Sequence, residues 1–389
     1  MSTVADNLAA GPRRYRVDAA GRRYRAGRLG LAALVVVVLL CLPMMAGSAG
    51  QVDSFSRIAA YAVAILGLTL VTGYCGQISI GHSAFVGIGA YTTVILVSEH
   101  GWPYLATIPV AAFFCLIAGI LVGIPALRIS GLYLAAVTLA VAAVFPTLID
   151  QFPHLTGGPN GLTALNQMEA PSWFPFRDAV AGPSIFHYYV ILAIAALMFA
   201  LAWNLARGRF GRALIAIRDS PYSAAAAGVR LSWYKVMAFA VSAAFAGVAG
   251  SLLMIQLPVV SDQQFELLFA ILLVIGLIVG GRATIPGAVA GAIVVELLHS
   301  SIPDLIDSLH VTNNGASGGQ LVGIVSGIGL IAFAFLLPDG VADSLEKLLR
   351  RIVRVEHPPP DGWERYAPPP SVADGPLAAG EQPTSTRPG

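Results

Sequence analysis

VMAFAVSAAFAGVAGSLLMIQL, the sequence from Val236 to Leu257, contains no charged side chain. A helix needs about 20 predominantly apolar residues to cross the hydrocarbon core of a bilayer. This stretch therefore predicts a membrane-spanning helix, and the same template finds nine further candidates along the chain. The ten predicted spans are Leu29–Met45, Ile58–Tyr74, Ile80–Val97, Tyr104–Leu127, Leu132–Ile149, Ile185–Leu205, Val236–Leu257, Phe265–Val279, Ile285–Leu298 and Leu321–Leu337.

The composition agrees with a chain that mostly avoids water. Hydrophobic residues make up 56% of the 389 residues and charged residues 11%, less than half the charged share of an ordinary soluble domain. We therefore predict an all-α membrane protein, a polytopic helical bundle of about ten transmembrane spans with glycine-broken segments. The net charge of +2 gives no reason to expect nucleic acid as a partner.

The distribution of basic residues predicts the orientation. Threading the ten spans from a cytoplasmic N-terminus places 21 of the 23 basic residues inside and leaves only Arg57 and Arg177 outside. Cytoplasmic loops of membrane proteins carry such an excess of lysine and arginine. We expect a multi-pass protein of the bacterial cytoplasmic (inner) membrane, with both termini in the cytoplasm. The first span also resembles a cleaved export signal, although we favour an uncleaved anchor.

Four regions follow from this threading. Residues 1–27 form a cytoplasmic arginine-rich tail, and residues 28–338 form the transmembrane domain, which includes a cytoplasmic loop at 207–235. Residues 339–355 have the apolar period and basic residues of an amphipathic helix on the membrane surface. Residues 356–389 are proline-rich and have too little apolar surface to pack, so we expect disorder there.

Inside the cytoplasmic loop, SPYSAAAAG encodes a short helix with both ends specified. Ser220 can cap the first amides, Pro221 suits the first helical position, and the alanines favour helix. Gly228 can adopt the left-handed conformation that closes a helix. A compact helix of this kind is suited to docking another protein, and a structured loop without a partner fits these residues equally well.

Glycines cluster in two places, between Gly73 and Gly89 and between Gly280 and Gly291. Corresponding glycine-broken apolar segments in two halves of a chain indicate broken helices beside a substrate path. Glycine also permits close helix packing, and Gly276/Gly280 and Gly287/Gly291 have the GxxxG spacing. Packing is the expected role of most of these glycines.

Few ionisable groups fall within the predicted spans. For His82, at the start of the third span, we expect a structural hydrogen bond, and for Glu296 a hydrated position near the outer surface. No metal motif accompanies them, and Cys41, Cys75 and Cys115 lie in apolar runs as packing residues. The lysines, Lys235 and Lys347, follow Tyr234 and Glu346, so the sequence lacks the Gly-Lys-Ser/Thr of a phosphate-binding loop. We expect no enzyme activity and no cofactor on this chain.

Several motifs, in order, resemble one family. GYCGQISIGHSAFVGIGAY from Gly73 is similar to the signature of branched-chain amino acid ABC transporter permeases of the M type. The agreement continues through LRISGLYLAAVTLA, TGGPNGLT, GRALIAIRDSPYSAAAAGV, YKVMAFAVSAAFAGVAGSL and GGRATIPGAVAGA. The resemblance covers roughly residues 58–345.

The resemblance implies a permease subunit of an ATP-binding-cassette importer that carries branched-chain or related amino acids into the cytoplasm. The implied partners are a second homologous permease, two cytoplasmic ATPase subunits that bind ATP and Mg, and an external substrate-binding protein. It assigns coupling to the ATPase to Arg218, Asp219, Ser220, Pro221, Ala224, Ala225 and Gly228. The candidate translocation pathway comprises Gly76, Gln77, Ser79, Gly81, His82, Ser83 and Tyr91. One departure is that Tyr222, Ser223 and Ala224 replace the Glu-Ala-Ala of many importer coupling loops.

Three alternatives remain. Related permeases serve urea or short amides, so a urea or short-amide importer fits the same motifs. An ion-coupled secondary transporter would use the broken helices equally well, but the spans show no conspicuous network of paired acids and bases. An intramembrane enzyme built on His82 and Glu296 is disfavoured because no nucleophile or metal cluster accompanies them.

Overall fold

The structure, a computed structural model, describes residues 37–46, 48–127, 131–163, 182–257, 259–281 and 283–301, with the single positions 168, 171 and 174. The predicted tails at 1–27 and 356–389, the surface helix at 339–355 and the last predicted span, Leu321–Leu337, lie outside these residues. Of the first predicted span, residues 37–45 are described and are helical.

Within the described residues the chain is almost wholly helical. The helices are α1 (Ala49–Leu68), α2 (His82–His100), α3 (Tyr104–Gly123), α4 (Leu132–Asp150), α5 (Pro153–Thr156), α6 (Gly182–Arg207), α7 (Arg209–Asp219), α8 (Pro221–Ala226), α9 (Leu231–Met254), α10 (Leu267–Gly280) and α11 (Gly287–Glu296). A π-helical turn, Thr69–Tyr74, continues α1, and another, Leu297–Ser301, continues α11. Two short strands, β1 (Leu162–Thr163) and β2 (Val259–Val260), pair antiparallel at one end of the bundle.

Six helical segments of the described residues are long and apolar enough to cross a membrane. They are Ala49–Tyr74, Tyr104–Gly123, Tyr133–Asp150, Gly182–Arg207, Leu231–Met254 and Asp262–Gly280. The described part of the chain is therefore all-helical apart from two short strands and holds six candidate spans, where eight of the ten predicted spans lie. Two of the other predicted spans correspond to α2, which has 19 residues, and to α11, which is apolar but has only 10.

Helix α9 lies at the centre of the bundle, and glycines bring its neighbours close. A Cβ added to Gly89 of α2 would collide with the backbone of Gly247, and one added to Gly67 of α1 would lie 2.7 Å from the carbonyl oxygen of Ser242. A Cβ on Gly119 of α3 would likewise approach the backbone of α9. Because small residues allow backbones this close, α1, α2 and α3 all pack directly on α9.

The second glycine cluster packs two helices against each other. The backbone of Gly276 faces that of Gly291, and Gly280 faces Gly287, with no room for a Cβ at any of the four. These pairs join α10 and α11 as an antiparallel hairpin. The packing role expected for the GxxxG glycines is therefore what the structure shows at this cluster.

Contacts along α1 and α9 give the relative direction of these helices. Asp53 near the start of α1 accepts a hydrogen bond from Gln256 just beyond the end of α9 (3.4 Å), and Gly67 lies against Ser242. The two helices are therefore antiparallel, as the threading of the second and seventh spans requires. The start of α1 and the end of α9 together define one end of the bundle, called here the α1-start end.

Candidate functional site

The cytoplasmic-loop helix predicted from SPYSAAAAG is present as α8. Ser220 caps it, because its side-chain oxygen accepts a hydrogen bond from the amide of Ser223 (3.3 Å), and Pro221 occupies the first turn. Gly228 has a φ of +83°, and the following amide, of Val229, donates back to the carbonyl of Ala224 (3.0 Å). The predicted start and end of the helix are thus confirmed in geometry.

Helix α8 projects from the bundle. Ala224 is buried, whereas Pro221, Ala225 and Gly228 are exposed, and Tyr222 is 89% exposed. Ala224 packs in a small apolar cluster whose other members come from the π-helical turn and the residue after it, from the short 3-10 turn Pro125–Leu127, and from α4, α7 and α9. These members are Val71, Cys75, Ala126, Leu134, Leu214, Ile217, Ala238 and Phe239. One face of α8 therefore rests on the bundle, and the opposite face is free to contact another molecule.

Helix α7 connects α8 to the first glycine cluster through Arg218. The guanidinium Nη1 of Arg218 donates to the carbonyl oxygen of Gly73 (3.0 Å), and its Nε donates to the exposed carboxylate of Asp219 (3.1 Å). Gly76 has a φ of +74° and lies against the aliphatic part of the Arg218 side chain. A side chain at Gly76 would meet both the backbone strain and this contact, so glycine is required there.

Residues Cys75–Gly81, called here the broken segment, are not helical. The amide of Gln77 donates to the carbonyl of Val71 (3.0 Å), and the amide of Ile80 donates to the hydroxyl of Thr138 on α4 (3.0 Å). Side chains and backbone of the surrounding helices thus accept hydrogen bonds from part of the non-helical backbone. Non-helical chain at membrane depth requires such partners, because no water is available there.

The broken segment returns into the bundle. His82, which begins α2, contacts Ser242, and Ser242 is 11 residues into α9. At a rise of 1.5 Å per residue, the start of α2 therefore lies beside a point on α9 about 16 Å from the first residue of α9. The first glycine cluster consequently brings a helix start deep into the bundle, which agrees with the broken helix predicted from the sequence.

His82 is fully buried in a chain of hydrogen bonds. The hydroxyl of Ser242 donates to the carbonyl oxygen of Gly67 (2.6 Å), so its single hydrogen is used there. The Nε2 of His82, 2.9 Å from that hydroxyl oxygen, must therefore be the donor. Nδ1 then accepts from the hydroxyl of Ser79 (3.3 Å). This neutral tautomer links α1, the broken segment, α2 and α9, which is the structural role expected of His82.

The structure distributes the seven candidate pathway residues along the broken segment and α2. Gly76 is exposed, whereas Gln77, Ser79, Gly81, His82, Ser83 and Tyr91 are buried. The hydroxyl groups of Ser83 and Tyr91 have no hydrogen-bond partner among the described residues. Gly76 to Ser83 lie together, and Tyr91 lies two turns further along α2, where its ring contacts Phe145 and Phe265 at centroid distances of 6.4 and 6.3 Å.

An ion pair that the sequence did not indicate lies at the α1-start end. Nε of Arg57 donates to both carboxylate oxygens of Glu296 (3.0 and 3.3 Å), and Nη2 donates to one of them (2.6 Å). The side chain of Glu296 is only 3% exposed, so its expected hydration at the outer surface is wrong. A single pair is not a conspicuous network of paired acids and bases, so that expectation is not overturned. The two residues are 239 positions apart, and no local pattern connects them.

Comparisons with known proteins agree with these features. Residues 51–334 match the family model described as branched-chain amino acid transport system, permease component. The chain is 32% identical to the high-affinity branched-chain amino acid transport system permease protein LivM of Escherichia coli over 71% of this chain and 69% of that protein. It is 26% identical to a probable branched-chain amino acid transport permease protein LivH of Methanocaldococcus jannaschii, over 74% of this chain and 90% of that protein.

A shorter similarity extends to a different transport system. Over 27% of this chain and 33% of the relative, the identity to the autoinducer 2 import system permease protein LsrC of Photorhabdus laumondii is 32%. No solved structure matches the chain. The family model covers most of the helical bundle, the broken segment and α8. The chain is therefore a multi-pass membrane protein that belongs to the family of permease components of branched-chain amino acid transport systems.

Proposed function

We propose that this chain is one of the two membrane-spanning subunits of an ATP-driven importer that brings branched-chain or related amino acids into the cytoplasm. Its proposed partners are a second, homologous permease, two cytoplasmic ATPase subunits and an external substrate-binding protein. ATP and Mg bind to the ATPase subunits, because the sequence of this chain contains no phosphate-binding loop.

The observation that supports this proposal most is the connection from α8 to the broken segment. Helix α8 is short, closed at both ends and largely exposed, which suits docking in a groove of an ATPase subunit. Arg218, Asp219, Ser220, Pro221, Ala224, Ala225 and Gly228 form the proposed coupling region. Arg218 donates a hydrogen bond to the carbonyl of Gly73, two residues before the broken segment. A displacement of α7 and α8 would therefore be transmitted to the broken segment.

The proposed translocation pathway runs beside Gly76, Gln77, Ser79, Gly81, His82, Ser83 and Tyr91. Six of these residues are buried within this chain, so substrate passage beside them would require the segment to move. A zwitterionic amino acid loses the hydration of both charges when it enters hydrocarbon, and polar backbone at the broken segment would replace part of it. ATP binding would favour a conformation in which the segment moves away from Ser242, as a shift in population.

The proposed membrane arrangement has about ten spans with both termini in the cytoplasm. The α8 end of the bundle then faces the cytoplasm and the α1-start end faces outward. Helices α2 and α11 count as spans in this arrangement because the broken segment and the π-helical turn at Leu297–Ser301 extend the distance that each covers. The antiparallel packing of α1 with α9 supports the alternation.

Branched-chain amino acids are the proposed substrates because LivM of Escherichia coli, by its name, serves high-affinity branched-chain amino acid transport. A urea or short-amide importer is the first alternative. An ion-coupled secondary transporter is the second alternative, since paired ionisable groups within membrane spans mark ion pathways and the Arg57–Glu296 pair is one such pair.

Photo-crosslinking tests the coupling assignment. A benzophenone amino acid in place of Tyr222, which is 89% exposed on α8, should crosslink to an ATPase subunit in membranes that contain the whole transporter. The same probe in place of Trp102, 43% exposed beyond the opposite end of the bundle, should give no such product. Equal crosslinking from both positions, or none from Tyr222 in an active complex, would remove α8 as the docking helix.

A further inference from the structure

A cavity of about 700 Å³ lies at the α1-start end of the bundle. Pockets that bind small molecules typically have about 300–1,000 Å³ and combine apolar walls with a few polar groups. This cavity has a volume in that range and combines an apolar wall with a polar wall of comparable extent. Asp53 and Arg57 of α1 lie on its wall, and Leu253, Leu257, Phe265 and Phe269 supply apolar surface. None of the seven candidate pathway residues lines it.

The guanidinium of Arg57 is fixed by hydrogen bonds, and its main partner lies outside the cavity lining. Glu296, which does not line the cavity, binds Nε and Nη2 of the guanidinium, and Ser54 accepts a further bond from Nη2 (2.8 Å). Nη1 makes no hydrogen bond to the residues that the structure describes. The side chain keeps 22% of its surface exposed. An oriented guanidinium with a free donor edge is well suited to bind a carboxylate.

Asp53 provides the opposite charge one helical turn away. Residues four apart on a helix lie on the same face, about 5–6 Å apart at Cβ. Asp53 nevertheless forms no ion pair with Arg57 among the described residues, and one of its oxygens accepts only a 3.4 Å hydrogen bond from Gln256. The cavity therefore presents a separated positive and negative group beside an apolar wall, the pattern complementary to an apolar amino acid in its zwitterionic form.

We propose that this cavity, called here the outer cavity, is a binding site for the zwitterion of an apolar amino acid, separate from the candidate pathway at the broken segment. Arg57 binds the carboxylate, Asp53 binds the ammonium group, and the apolar wall holds the side chain. Glu296 is a positioning residue that fixes Arg57 and offsets its charge. The site rests on the proposed function, since it receives substrate before passage through the bundle. Phe265 connects it to α2, where its ring contacts Tyr91.

Binding of radiolabelled leucine to the purified transporter complex in lipid nanodiscs, without the external binding protein, tests the site. Asp53→Asn should weaken leucine binding about tenfold or more, because a charge-assisted hydrogen bond is lost. Glu99→Gln is the matched control, since Glu99 is an exposed carboxylate at the end of α2 and does not line the cavity. It should bind leucine as the wild type does.

Removing Arg57 alone would leave Glu296 buried without its partner, so a second variant, Arg57→Met with Glu296→Gln, removes both charges. Competition with leucinamide, which lacks the carboxylate, and with 4-methylpentanoate, which lacks the ammonium group, separates the two roles. Asp53→Asn should leave the weak binding of 4-methylpentanoate unchanged, and the double variant should do the same for leucinamide. Three results would overturn the proposal. One is that either variant loses binding of both leucinamide and 4-methylpentanoate, another is that both variants bind leucine as tightly as the wild type, and the third is that the wild type binds no leucine.

ATP-driven leucine import, measured with the external binding protein in the same preparation, distinguishes a failure of the outer cavity as a binding site from a failure of the proposed function. Import by a wild-type complex that binds no leucine in the outer cavity would remove the site and keep the proposed function. Leucine binding that follows the predicted pattern in a complex without ATP-driven import would keep the site and remove the proposed function.

Discussion

Gly228→Val tests whether the closed end of α8 is needed for transport. Gly228 has a φ of +83°, and an added Cβ would meet no atom within 4 Å, so the substitution acts on the backbone conformation alone. An L-residue in the left-handed region costs about 1–2 kcal/mol, and a β-branched side chain is expected at the upper limit. That cost corresponds to a shift of roughly fivefold to thirtyfold in the equilibrium between the closed and open ends of α8.

The six-residue α8 has almost no stability of its own and depends on this closure. We therefore expect ATP-dependent uptake into proteoliposomes by the Gly228→Val complex to fall severalfold, together with weaker retention of the ATPase subunits. Gly228→Asn should retain more uptake, because asparagine tolerates the left-handed conformation.

Gly101→Val is the matched control for Gly228→Val. Gly101 has a φ of +63° and equally open surroundings, but it follows α2 at the opposite end of the bundle. The backbone cost and any loss of thermal stability should be similar in the two variants. Uptake should fall only in Gly228→Val. Wild-type uptake in Gly228→Val, or an equal loss of uptake in both variants, would refute the coupling role of α8.

Three further substitutions test the packing and the connection to α8. Ser242→Ala leaves the buried Nε2–H of His82 without its acceptor and removes a bond to the Gly67 carbonyl, so it should lower the free energy of unfolding in detergent by about 1–2 kcal/mol. Ser56→Ala, which loses a bond to its own helix, should cost less. Arg218→Met should reduce uptake while ATPase subunits remain bound. Arg212→Met, whose guanidinium donates to the carbonyl of Arg207 in the same loop, should leave uptake unchanged. Gly291→Val should separate α10 from α11 and lower the melting temperature by several degrees, since the backbone of the facing helix fills the space of the added side chain.

Local features of the sequence predicted the parts of the structure that local chemistry determines. The ends of α8 follow from Ser220, Pro221 and Gly228, whose conformational preferences act within one or two turns. The GxxxG spacing of Gly276 and Gly280 predicted close packing, because small residues on one face of a helix allow any neighbouring helix to approach its backbone. The broken segment was likewise predictable, since glycines interrupt an apolar run at Gly73–Gly81.

Contacts between distant parts of the chain could not be predicted in this way. The pairing of Arg57 with Glu296 depends on α11 packing against α1, and neither residue's neighbours contain a signal for it. Helix α1 also begins at Ala49, before the predicted start at Ile58, because Gln51, Asp53 and Ser54 lower the hydropathy without interrupting the helix. The same polar turn provides Asp53 to the outer cavity.

The central claim is that transport through this chain is powered from outside it, through α8. The most direct test is uphill uptake of leucine into proteoliposomes that contain the two permeases and the external binding protein, with and without the ATPase subunits. We predict uptake that requires ATP and the ATPase subunits and that persists when a protonophore and a sodium ionophore collapse the ion gradients. Uphill uptake driven by an ion gradient in the absence of the ATPase subunits would contradict the claim and favour a secondary transporter.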